Sequence, residues 1–150
     1  MRTVAVVMEC TRLDDRWGTE KWEAVGVLED VDEPPGTSRV LYDSPTRKQI
    51  LFAGFKVELH RSLAEGYGFN LVSPQPRVFV RWEEVEGGDG AGSEIRPVQL
   101  TVSFYEAAGW MDGGARVDGV PLPQHWHRQI GEFVDLHYKP EPHIKRGRNK

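Results

Sequence analysis

Apolar and polar residues alternate with a period of two over most of this chain, a pattern that suits β-strands and gives a helix no continuous face. Across residues 3–13, Val4, Val6, Met8 and Cys10 fall on one side, and Ala5, Val7, Glu9 and Thr11 on the other. Both sides are apolar at first, which predicts a strand that begins inside a sheet and leaves it near Glu9. Residues 14–18 read as a turn and 22–28 as the returning strand of an antiparallel hairpin. Residues 39–43 read as a short third strand. Residues 49–60 make the longest strand candidate, with Leu51, Ala53, Phe55, Val57 and Leu59 on one buried face and Gly54 marking a bulge or bend. Two further strands, 77–85 and 95–105, flank a glycine-rich hairpin tip at 87–93, and 116–120 completes the set.

Helical spacing is confined to three places. Residues 62–67 suit one short turn, stopped by Gly66 and Gly68, and 105–111 suit a short helix closed by Gly113 and Gly114. The last helix is the clearest: Pro121 and Pro123 pre-set its start. Trp126, Ile130, Phe133, Val134 and His137 then recur on one stripe before Pro140 and Pro142 end it. The predicted fold class is α+β: a mainly antiparallel, curled sheet or partly open barrel with a C-terminal amphipathic helix packed on it. Residues 1–138 form a single domain and 139–150 a basic C-terminal tail. A domain of 150 residues buries about 70% of the surface its unfolded chain exposes and needs no staple.

Charge is placed unevenly. Five of the 19 basic residues and one of the 23 acidic residues lie in 139–150, so the rest of the chain holds 14 and 22, a formal −8. Such a body repels nucleic-acid phosphate, which makes nucleic acid an improbable partner despite the tail. Cys10 is the one cysteine, which excludes an intrachain disulfide and a multi-cysteine zinc or iron–sulfur site supplied by this chain. The apolar run near the N-terminus is broken at Glu9, too early for a signal-peptide core or a membrane span. A cytoplasmic protein without membrane contact is expected.

Catalytic motifs are missing. His125 and His127 project about 200° apart on a helix and cannot share one ion from it. There is no His-Glu-x-x-His, no Gly-x-Ser-x-Gly elbow and no kinase-type loop. The acidic stretch 29–36 lacks calcium-loop spacing, and the 87–93 glycines lack the Lys-Ser/Thr of a phosphate loop. Five tryptophans are many for this length, and their N–H groups favour a rim when buried partners run short.

Several short motifs occur in order along nearly the whole chain. They are Val4-Ala5-Val6-Val7-Met8-Glu9, Arg16-Trp17, Trp22-x-x-Val25, Tyr67-x-x-Asn70-Leu71, Tyr105-Glu106-Ala107, Val120-Pro121-Leu122-Pro123, Phe133-Val134-x-x-His137 and Lys145-Arg146-x-Arg148. Together they resemble an uncharacterised, mainly proteobacterial domain-of-unknown-function family. Its genes tend to lie near those for molybdenum-dependent formate dehydrogenase and its accessory proteins. The resemblance implies an accessory or maturation role. The chain departs from it at Cys10-Thr11, where two arginines are expected, and at His143-Ile144, where an aromatic is expected.

The resulting expectation is a non-enzymatic accessory protein, without cofactor or metal, that binds another protein such as an oxidoreductase subunit or its assembly factor. The expected contact set is Arg16, Trp17, Trp22, Tyr67, Asn70, Lys145, Arg146 and Arg148. The alternative is a barrel holding a small anionic ligand or cofactor in its mouth, lined by aromatics with Arg12, Arg16 and Arg81. A third reading, an enzyme of unfamiliar type, rests on Glu9, Glu106 and His137 as acid–base groups.

Overall fold

The computed structural model describes residues 3–14, 16–86 and 93–138. Four strands form one antiparallel sheet: β1 (Val4–Arg12), β2 (Glu20–Glu29), β3 (Ser38–Asp43) and β4 (Arg47–Phe55), in the order β2-β1-β4-β3. Three form a second: β5 (Arg77–Glu86), β6 (Ser93–Thr101) and β7 (Arg116–Pro121), in the order β6-β5-β7. The helices are α1 (Ala64–Val72), preceded by a 3-10 turn at Arg61–Leu63, α2 (Phe104–Asp112) and α3 (Gln124–His137). The α+β class and the packed C-terminal helix are as expected. The strands divide between two open sheets instead of curling as one.

The main core lies where the sheets and helices meet. Val4, Val6 and Met8 of β1 face Val78, Val80 and Trp82 of β5, with Tyr67 of α1 and Trp126 and Ile130 of α3 completing it. The other face of the first sheet carries a small cluster of Ala5, Leu51 and Ala53, covered by Val31 and Leu41.

β1 does not leave its sheet at Glu9. It is central and pairs with β2 and β4 through Thr11. A carboxylate can stay there because Gln49 Nε2 donates to Glu9 Oε1 at 2.9 Å and Arg47 Nε lies at 3.5 Å.

Residues 49–60 are not one strand. The β1–β4 register shifts between Val4 and Val6, and β4 stops at Phe55. Gly54, at φ +101°, makes the shift. A Cβ there would sit 2.8 Å from the backbone of Pro35 and Gly36. Gly54 therefore lets the acidic loop close onto β4, where Gly36 N donates to Ala53 O at 3.0 Å. The expected single face splits at this point: Leu51 and Ala53 join the small cluster, and Phe55, Val57 and Leu59 the main one.

Gly66 and Gly68 do not stop the first helix, which runs on to Val72. Gly66 is buried against Ser103, where a Cβ would collide with the hydroxyl, and Gly68 faces Val134 of α3. Gly66 is a close-approach residue, whereas a Cβ on Gly68 would make an ordinary contact with Val134. The strand predicted over 95–105 ends at Thr101, because Ser103 caps α2 by accepting from Glu106 N at 3.2 Å.

Candidate functional site

The contact residues expected from sequence fall into four groups. Arg16 and Trp17 stand on the β1–β2 turn, with the guanidinium 5.4 Å from the centre of the indole ring and Trp17 78% exposed. Trp22 is half-buried against the main core. Tyr67 and Asn70 are 1% and 3% exposed and offer no surface to a partner. Tyr67 Oη accepts from His60 N at 2.9 Å. Asn70 Nδ2 donates to Arg77 O at 2.7 Å and Val102 O at 3.0 Å, while its Oδ1 accepts from Arg77 N at 3.0 Å. One amide thus ties α1 to β5 and to the corner before α2. Lys145, Arg146 and Arg148 lie outside the described residues, as does the glycine-rich hairpin tip at 87–92.

The groups weighed for an anion pocket or for acid–base work have local partners. Arg12 donates to Ser44 O at 2.6 Å and reaches Asp43 and Glu20, tying the first hairpin to the second. Arg81 lies over the Trp110 ring. Glu9 is held as described, Glu106 sits in the first turn of α2, and the His137 ring packs 4.4 Å from that of Phe133. Among the described residues no three His, Cys, Asp or Glu side chains are grouped to hold a metal ion. The thiol of Cys10 is fully buried, and burial, ahead of nearby Glu20, pushes its pKa up, so it is held as an unreactive thiol.

A different surface gathers side chains that the sequence left scattered. Alternation on β5 sends Val78, Val80 and Trp82 inward and Phe79 and Arg81 outward. α2 crosses this outer face, burying only Ala107. Phe104 and Tyr105 of α2 remain about half exposed. Their rings form a row: Phe79 meets Phe104 edge-on at 6.4 Å, Phe104 meets Tyr105 at 6.3 Å, and Tyr105 meets Phe69 of α1 at 5.4 Å. Val72 and Met111 are exposed as well.

Beside this row runs a groove of about 510 Å³, floored by Phe79, Val117 and Gly119 and walled by Phe104, Met111 and residues 73–75. Arg77 lies at its edge, donating to Gly119 O at 3.2 Å and Gln75 Oε1 at 2.8 Å. Partial burial, followed by the Glu65 carboxylate, raises the pKa of the Tyr105 hydroxyl. Sequence reasoning missed Phe69, Phe104, Tyr105 and Met111. The available signal was a pair of adjacent aromatics opening a helix too short to bury both.

A family model covers residues 3–147 of the chain. The chain belongs to the DUF3305 family, proteins of unknown function. No curated protein and no solved structure matches it. For a DUF3305 chain, then, the geometry of the surface is the main guide to function. Among the described residues no helix is long and apolar enough to cross a membrane.

Proposed function

We propose that this DUF3305 protein is a non-catalytic accessory protein that binds another protein through the aromatic face of α1 and α2. Its process is the assembly or maturation of a molybdenum-dependent formate dehydrogenase. The observation that carries the binding reading is the half-exposed row of Phe104, Tyr105 and Phe69 beside the apolar groove. Isolated exposed apolar residues are ordinary, but a contiguous cluster of rings packed edge to face beside a groove marks an interaction surface. Arg16 and Trp17 on the β1–β2 turn supply a second exposed aromatic contact. The basic run Lys145, Arg146 and Arg148 supplies charge for an acidic partner. The link to formate dehydrogenase rests on the family resemblance.

The test is complementation of a gene deletion, read as formate oxidation. Deletion lowers the activity and the wild-type gene restores it. A Phe104→Ser/Tyr105→Ser variant accumulates to the same level and fails to restore it. Unchanged formate oxidation in the deletion strain overturns the maturation role. A chain truncated after Pro142 measures the tail: full restoration by it removes Lys145, Arg146 and Arg148 from the contact set.

The alternative reading, a site for a small anionic ligand, has several concavities that suit it. Met8, Val80 and Trp126 pack in the main core. Concavities of ligand-like volume open at the outer groove at Arg77, about 510 Å³, and where the two sheets meet, about 450 Å³ beside Trp22 and Arg96 and about 490 Å³ beside Trp22 and Arg116.

A further inference from the structure

Two grooves share one arginine. The first, beside Phe104 and Met111, reaches Gly119; the second, of about 360 Å³, is lined by Pro121, Leu122 and His127. Gln75 and Arg77 belong to both. The three stations fall on alternate residues of β7: Val117 in the first groove, Gly119 beneath the arginine and Pro121 in the second. Alternate residues of a strand share a face and lie about 7 Å apart.

Arg77 is held in place without being neutralised. It lies flat across Gly119, where a Cβ would come within 2.6 Å of its Cδ. Two of its N–H donors bind neutral oxygens, Gly119 O and Gln75 Oε1. Arg12, Arg39, Arg96 and Arg116 each bond a carboxylate, whereas Arg77 bonds none among the described residues. A guanidinium has five N–H donors in a fixed fork, so enough remain for a bidentate carboxylate.

The geometry points to a docking site for an extended segment of a partner protein that carries an acidic residue flanked, two positions away on each side, by large apolar residues. The carboxylate sits on Arg77, one apolar side chain enters the groove at Phe104 and Met111, and the other enters the groove at Leu122. Two apolar hollows on either side of a fixed cation, spaced as a strand spaces its side chains, fit a peptide and exceed what one small amphiphile fills. The inference rests on the protein-binding reading above and names the chemistry of the segment bound.

The probe is an end-capped synthetic peptide with leucine, aspartate and leucine at alternate positions in a serine background, titrated into the full chain and followed by fluorescence anisotropy. Saturable binding is expected, weakened at least tenfold when the aspartate is replaced by asparagine. Arg77→Gln binds both peptides at the weaker level, whereas Met111→Ser weakens both and keeps the preference for aspartate. Equal affinity of the wild-type chain for the two peptides overturns the proposal. So does absence of binding, or equal binding of a peptide whose leucines are shifted by one position. Saturable binding of dodecanoate without binding of the peptide makes the groove a small-amphiphile site and also overturns it. The two readings fail separately. If Arg77→Gln restores formate oxidation and Phe104→Ser/Tyr105→Ser does not, the accessory role stands and the acidic-segment site falls. If deletion leaves formate oxidation unchanged, the accessory role falls, and the aspartate preference of the peptide still decides the site.

Discussion

Asn70 shows how much one buried amide can organise. Its hydrogen bonds to Arg77 N, Arg77 O and Val102 O satisfy three backbone groups that no strand partner reaches. Asn70→Ala leaves them buried and unpaired, at a cost of about 2–3 kcal/mol. Urea denaturation should show this as a lower midpoint with an unchanged slope. Tyr67, one helical turn earlier, makes a pH-dependent contribution. Burial pushes its phenol above the ordinary value of about 10, with the His60 N–H pulling the other way. The folded value is the raised one, so the stability Tyr67 carries is complete below about pH 10. It is then lost as the pH climbs through the raised value. Tyr67→Phe should be less stable near neutrality by about 1 kcal/mol, through loss of the His60 contact. It should decline less steeply above pH 10 than the wild type. Equal alkaline slopes for the two proteins would remove Tyr67 from the account.

The glycines of the helices separate two roles that look the same in a sequence. Gly66 of α1 abuts Ser103, whereas a Cβ on Gly109 of α2 meets nothing within 4 Å. Gly109→Ala should therefore stabilise the protein by about 0.5–1 kcal/mol, through reduced chain entropy in a helix interior. Gly66→Ala should destabilise it by about 1–3 kcal/mol, because α1 must move off the α2 cap. Thermal melts of the two variants should shift in opposite directions. This contrast also marks how far the sequence could be read. Local patterns carried the hairpin of β1 and β2, the strand β5, the helix α3 and the bulge at Gly54, since each is decided by alternation or spacing within a dozen residues. The division into two sheets turns on β1 pairing with β4 across some forty residues, which no local period encodes. Gly66 looked like a helix stop because the residue it touches, Ser103, is far along the chain. The candidate site was illegible for the same reason. Phe69 meets Tyr105, and Phe79 meets Phe104, only when α1, α2 and β5 come together, while Tyr67 and Asn70, which looked like contact residues, are turned inward by that same packing.

At the scale of the molecule the two sheets are joined by side chains where strand hydrogen bonds end. Asp118 of β7 points away from the docking face, and its Oδ2 accepts from Trp82 Nε1 at 2.7 Å and from Ala24 N of β2 at 2.9 Å. Glu29, at the end of β2, does the same for α3: one oxygen lies 3.0 Å from Trp126 Nε1 and 2.9 Å from His125 Nε2. Two of the five tryptophans, Trp82 and Trp126, are thus spent on the seam, each with its indole N–H satisfied by a carboxylate. The seam also fixes β7, whose opposite face carries Val117, Gly119 and Pro121, so the docking surface inherits its rigidity from Asp118. Asp118→Ala strands an indole and a backbone N–H and should cost about 2–3 kcal/mol, whereas Asp118→Asn keeps an acceptor oxygen and should cost about 1 kcal/mol. Hydrogen exchange separates loss of the seam from general loosening: the Ala24 amide should lose protection in Asp118→Ala well before the amides shared by β5 and β6. If Ala24 keeps its wild-type protection in that variant, β2 and β7 are held together by packing alone, and the carboxylate bridge contributes nothing to the alignment of the two sheets.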